Sequence, residues 1–188
     1  MRKALGFLFV IVCCASQSNI AIVKAFEGAG ERGDDAASQG YVAPDARMWF
    51  NKKEGPGVPL IGGPWRHWDL YFRGHTRFTD WESRDHVVTA IGHETNDYYR
   101  LLDWKPEPFR MTWWLDDAGK ITDALLESSA DKSTGRLDDF RAWVKQKHAD
   151  QLAYLMPGGK FDPTGDRPER WRTLLLEWRR EAGLLPVH

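Results

Sequence analysis

The amino-acid sequence predicts an α+β fold, and three features carry that expectation. Apolar residues recur at helical spacing near the start, four extended runs pair as two hairpins in the middle, and two amphipathic helical segments close the chain. At 188 residues, 42% of them hydrophobic, the chain is long enough for one domain with its own core and an appendage.

From Ile20, the residues Ile22, Val23 and Phe26 keep helical spacing, although Gly28 and Gly30 weaken it. Asp34 stands at an N-cap position for a second, short helix that Pro44 should end. A strand is expected from Arg47 to Asn51. The next stretch, KKEGPGVPLIGGP, is dense in Gly and Pro and reads as a loop. WRHWDLYF, Trp65 to Phe72, is read as a helix because Trp65, Trp68 and Phe72 recur at intervals of three and four. HTRFTDW and DHVVTAIGHET form the first hairpin, with its turn around Glu82 to Arg84. FRMTWWL and KITDALLE form the second across Asp116, Asp117, Ala118 and Gly119, residues suited to a tight turn. Leu137, Phe140, Val144, His148, Leu152 and Leu155 then predict one helix up to Met156, where PGG breaks it. A last helix is signposted by Asp166 as N-cap with Glu169 three residues on, by apolar Trp171, Leu174, Leu175 and Trp178, and by Gly183 at its C-terminal end.

The N-terminus follows a separate logic. Arg2 and Lys3 precede an uncharged run from Ala4 to Val12, followed by small residues at Cys13, Ala15 and Ser16. This is the layout of a secretory signal, and the run is shorter than the roughly 20 residues of a membrane-spanning helix. The expected organisation is thus a signal peptide over 1–16, a domain over 17–130 and a helical extension over 131–188 packed on it. Export would place the mature chain in the periplasm or medium, with no integral membrane segment. Cys13 and Cys14 are the chain's two cysteines, so cleavage after them leaves neither a disulfide nor a thiol nucleophile. Lys plus Arg number 26 against 27 Asp plus Glu, a balance that argues against nucleic acid as partner.

In the order of these elements, and in the segments GDDAASQGYVAPDA, FTDW, ETNDYYRLL and WWLDDAGKI, the chain from Ile20 to about Ser128 resembles the SnoaL-like branch of the nuclear transport factor two-like superfamily. The resemblance implies a cone-shaped fold in which a curved antiparallel sheet wraps helices and leaves a pocket at its open end. The two C-terminal helices lie outside that minimal core. Relatives of this kind include isomerases, dehydratases, cyclases and epoxide hydrolases, as well as non-catalytic domains, so the fold does not choose the function.

Strand parity sorts the residues available to a pocket. His86, Val88, Ala90, Gly92, Glu94 and Asn96 share one side of their strand, and the small Ala90 and Gly92 permit curvature or close approach of a ligand or helix. Glu94 and Asn96 are accordingly expected to face a Trp-lined cavity, Glu94 as catalytic acid or base and Asn96 as a substrate-binding amide. Desolvation there would raise the Glu94 carboxyl toward the range useful for proton transfer. The alternative is structural: Glu94 pairs with Arg77 or Arg110, and Asn96 and Asp97 cap the DYYRLL turn. Thr112 and Trp114 could flank the pocket or a dimer surface, and Trp49 is a further candidate lining residue. His75 and Asp80, five apart, fall on opposite sides of a regular strand and would need a bulge to pair. The six His show no metal-ligand spacing, and there is no phosphate-binding Gly loop or nucleophile elbow, so neither metal nor cofactor is expected.

Two readings follow from these residues: cofactor-independent acid–base chemistry (isomerisation, dehydration or lyase) on a small apolar or aromatic molecule, or non-catalytic binding of such a molecule. A third is an assembly domain that forms a homodimer through the sheet and meets a partner through the C-terminal helices.

Overall fold

A computed structural model describes residues 4–128 and 135–184, with side chains from residue 18 onward. The described residues divide into two compact units. The first holds the chain up to Gly63, Arg77–His93 and residues 108–128; the second holds Pro64–Thr76, Glu94–Glu107 and residues 135–184. Among the described residues no helix is long and apolar enough to cross a membrane.

The first unit opens with α1 (Ala4–Glu31) and the short α2 (Asp35–Gln39). Asp34 caps α2 as its residue type demands, its carboxylate accepting from the Ala37 N–H at 2.9 Å. An open, curved six-stranded sheet follows, in the order β2-β1-β6-β5-β4-β3. Its strands are β1 (Val42–Phe50), β2 (Val58–Pro59), β3 (His75–Arg84), β4 (Val87–Thr95), β5 (Phe109–Leu115) and β6 (Ile121–Ser128).

Three expectations change here. The sheet is mixed rather than antiparallel, because β1 pairs with β6 in parallel, Arg47 against Asp123 and Phe50 against Leu126. β1 begins at Val42 rather than at Arg47, and Pro44 ends no helix. A register shift between Val42 and Arg47 bulges the strand at the position where a missing proline N–H costs no ladder bond. The Gly- and Pro-rich loop also contains β2, which pairs with β1 at Arg47 and Met48.

One sheet face carries this unit's core. Val88, Ala90 and Gly92 on β4 stand opposite Trp113, Met111 and Phe109 on β5, and Trp113 and Met111 stand opposite Ala124 and Leu126 on β6. Val23 and Phe26 of α1 are buried in the same apolar cluster, which is the stripe expected of the first helix. Trp113 is fully buried, stacks on Trp81 at 5.7 Å, and donates its indole N–H to Glu27 of α1 at 3.1 Å. That bond removes the cost of burying the ring's one polar atom.

The second unit consists of α3 (Pro64–Tyr71), α4 (Asp97–Leu101), α5 (Leu137–Lys147), α6 (Ala149–Leu155), a 3-10 turn at Pro157–Gly159 and α7 (Arg167–Glu181). Its core gathers Trp68 and Phe72, Tyr98 and Leu102, Phe140 and Val144, Leu155, and Trp171, Leu175 and Trp178. The helix expected from Leu137 to Met156 is in fact two. His148, at φ −141° and ψ 53°, interrupts it and lets Leu155 reach the same core as Phe140 and Val144. Asp166 is not a side-chain cap; its carboxylate accepts from the Tyr154 hydroxyl and from Arg170 instead. At the far end of α7, Gly183 adopts φ 65° and Leu184 N–H returns to the Arg179 carbonyl, as the glycine predicts.

Candidate functional site

The stretch Glu94 to Tyr99 marks the change from β4 to α4, and its polar residues bond to one another. Asn96 is the N-cap of α4, accepting from the Tyr99 N–H at 2.8 Å through its side-chain oxygen. The other half of its amide donates to Glu94 Oε1 at 2.8 Å. The Tyr99 hydroxyl, one turn along, donates to Glu94 Oε2 at 3.1 Å. Each Glu94 oxygen thus has a neutral donor. Asn96 is 1% exposed and has both ends of its amide engaged in these bonds.

The alternation on β4 follows the predicted parity: Val88, Ala90 and Gly92 are buried, while Val87, Thr89 and Ile91 are partly exposed. The reason Gly92 is small is now visible. A Cβ there would lie 2.4 Å from Phe109 Cζ, so the space is filled by the ring of its cross-strand partner.

A second carboxyl joins Glu94 from α3. Asp69, one residue after the buried Trp68, is half-buried and within electrostatic reach of Glu94. Burial first, and then the Glu94 charge, push the Asp69 carboxyl up to about 7, against a smaller downward pull from Arg66. Glu94 is also raised by burial, but the Tyr99 and Asn96 hydrogen bonds work against that rise. The two donors on Glu94 favour its charged form, and that charge in turn adds to the rise at Asp69. Tyr99 is itself held well above the ordinary phenol range by burial and by the Glu94 charge, so its hydroxyl remains a donor. Tyr98 and Trp104 flank Tyr99, with ring centroids at 5.9 and 4.8 Å.

Sequence reasoning passed over Asp69 because Trp65, Trp68 and Phe72 account for α3 as a packing helix. The available signal was an ionisable residue directly beside that apolar stripe. The remaining candidates, Thr112, Trp114 and Trp49, belong to the first unit and to the sheet face of Val87 and Thr89, opposite to that of Val88 and Ala90. There Trp49 and Trp114 both hold the Lys53 ammonium, 4.9 Å from each ring, while Lys53 pairs with Asp123 at 3.0 Å. The Trp49 indole donates to the Gly55 carbonyl. Asp80 supplies an irregularity in β3, with φ 51°, and bonds to the Thr79 hydroxyl, which also lies 3.4 Å from His93. In the second unit a half-open groove of about 260 Å³ is lined by His148, Asp150, Gln151, Arg170, Thr173, Leu174 and Glu177.

No protein-family model and no curated protein matches this chain. Several solved structures are similar in fold. IdmH of Streptomyces antibioticus, a proposed polyketide cyclase, shares 15% identity at a TM-score of 0.44, with 64% of this chain and 96% of that one covered. AclR of Streptomyces galilaeus, a proposed hydroxylase, shares 12% at a TM-score of 0.49, covering 66% of this chain and 98% of that one. A nuclear transport factor two-like protein of unknown function from Cytophaga hutchinsonii shares 10% at 0.41, covering 59% and 89%.

Proposed function

We propose that the second unit carries a cofactor-independent acid–base site acting on a small, largely apolar or aromatic molecule, with isomerisation, dehydration or lyase chemistry as the reaction class. The observation that carries this reading is the Glu94 carboxylate held by the Asn96 amide and the Tyr99 hydroxyl, with Asp69 beside it pushed up to about 7 by burial and by the Glu94 charge. Glu94 is the base, able to take a proton from carbon beside a carbonyl or hydroxyl-bearing centre. Asp69, when protonated, is the donor available to an oxygen that gains charge as that proton leaves, while the Tyr99 hydroxyl stays on Glu94. Asn96 fixes the Glu94 rotamer from the helix cap.

The saturation of both Glu94 oxygens favours a second reading, in which the same residues form a rigid polar wall for a molecule that is bound and not transformed. One experiment separates the two. A panel of hydroxy-ketones, enones and epoxides is offered to the wild type, Glu94→Gln and Asp69→Asn, with turnover and affinity measured together. On the acid–base reading, a substrate is turned over by the wild type and turnover falls at least about 100-fold in either variant, the usual contribution of a positioned acid or base, with affinity kept. Binding without turnover of any compound by the wild type supports the second reading.

We further propose that the chain is exported with removal of its first 16 or so residues. The charge and apolar pattern of the N-terminus supports this, and cleavage there would keep Val23 and Phe26, which the first core uses. Edman sequencing of protein from the native host should begin near Gln17; intact Met1 protein in the cytosolic fraction would reject export.

A further inference from the structure

Asp97 follows the proton-transfer candidates in the chain but serves none of their chemistry. Its side chain is 6% exposed and receives three arginines of the second unit. Arg73, in the turn after α3, donates through Nε at 2.7 Å and through Nη2, both to Oδ2. Arg172 of α7 donates to the same oxygen at 3.0 Å, and Arg100 of α4 donates to Oδ1. Burial alone would raise the Asp97 carboxyl, but the hydrogen bonds from Arg100, Arg73 and Arg172 outweigh it and hold the group below the ordinary carboxylate range. Asp97 is therefore ionised, and it supplies one negative charge to three positive ones.

The surplus is both electrostatic and geometric. A guanidinium has five N–H donors in a fixed plane. Asp97 uses two of those of Arg73 and one each of Arg100 and Arg172. The three side chains are 70%, 47% and 33% exposed, and each guanidinium keeps donors that Asp97 does not use. Glu169, one turn before Arg172, raises the Tyr71 hydroxyl while Arg172 lowers it, and setting Glu169 beside Asp97 against the three arginines still leaves one positive charge in excess. Arg73 reaches its place from a left-handed backbone, φ 53°, a conformation unusual for a non-glycine residue and costly on its own. A simple ion-pair clamp needs one arginine, or two. Three held by a single carboxylate form a pre-organised set of donors with unbalanced charge, the arrangement that recognises groups with several acceptor oxygens.

We propose that the three-arginine cluster on Asp97 is a binding site for a tetrahedral oxyanion, the phosphate or sulfate group of a small molecule or of a lipid headgroup. Asp97 positions the guanidiniums and the anion neutralises what Asp97 leaves over. This site is independent of the acid–base reading of Asp69 and Glu94.

Inorganic phosphate and sulfate, titrated into the full chain at low ionic strength and followed by calorimetry, should bind saturably in the millimolar range. Arg73→Gln and Arg100→Gln should each weaken binding about tenfold, the loss of one charge-assisted contact, and the double variant should abolish it. Arg180→Gln, a change at an exposed arginine of α7 outside the cluster, should leave it unchanged. Should a variant fail to fold, the wild type reports directly: the Arg73, Arg100 and Arg172 side-chain N–H resonances must shift together along the titration while those of other arginines stay. Phenyl phosphate and vesicles of phosphatidylcholine with a phosphoinositide distinguish the sources. Binding of phenyl phosphate without vesicle retention assigns a small-molecule ligand, and vesicle retention lost in the double variant assigns a headgroup. No saturable binding of any of these, or binding equally strong in the double variant, overturns the proposal.

Discussion

Asp69 ties stability to pH in an unusual direction for a carboxyl. Its ordinary value is 3.8 and its value in the folded chain is about 7. Between these limits the folded state keeps a proton that the unfolded state has released, so stability falls as pH rises through the window. Asp69→Asn removes the ionisation, and above pH 7 the variant should be more stable than the wild type by on the order of 2–4 kcal/mol, at about 1.4 kcal/mol per pKa unit. The difference should vanish below about pH 3, which urea denaturation at pH values on both sides of the window measures. Asp97 has the opposite sign. Its folded value is lowered, so its contribution is present above the ordinary carboxylate range and is lost as pH falls through the folded value. Asp97→Asn at pH 7 leaves three arginines without their counter-charge and should cost about 3 kcal/mol, with a smaller cost in acid. An unchanged urea midpoint at pH 7 would show that the arginines do not depend on it.

Gly92 decides how β4 and β5 can lie beside one another. The Phe109 ring occupies the volume that any side chain at 92 would need. Gly92→Ala should destabilise by about 1–3 kcal/mol, the usual cost of overpacking, and Phe109→Leu in the same chain should recover part of that loss. Additive losses in the double variant would mean that the two positions do not compete for space. Helix ends in the second unit are finished by side chains from distant segments. Arg179 of α7, 8% exposed, donates to the Leu101 carbonyl at 2.8 Å and to Asp103 at 3.1 Å, satisfying the end of α4. His148 pairs with Glu177 at 3.4 Å and lies against Trp143, contacts that accompany the break between α5 and α6.

Across the whole molecule, each unit has its own core, and the C-terminal helices make up much of the second. Phe140, Val144, Leu155, Trp171, Leu175 and Trp178 cover Trp68, Phe72 and Tyr98. At about 1.5–3 kcal/mol for each large apolar side chain buried, their loss would strip α3 and α4 of much of their stabilisation. A chain ending at Ser128 should aggregate or lose the near-ultraviolet dichroism of these rings. Unchanged thermal unfolding after that truncation would show that the helices are dispensable.

What the sequence determined by itself was local. Alternation along β4, turn residues at Asp116 to Gly119, the cap at Asp34, the apolar stripe of α7 and Gly183 at its end are each set by residues within a few positions of one another, where backbone geometry and burial act directly. Glu94 and Asn96 were legible as neighbours for the same reason: one strand parity carries both. Only the tertiary structure decided which distant segments meet. The parallel pairing of β1 with β6, the effect of the Glu94 charge on Asp69 and the convergence of Arg73, Arg100 and Arg172 on Asp97 all join positions whose separations have no period. Their energies are pairwise and long-range in the chain, so no pattern read along one segment contains them.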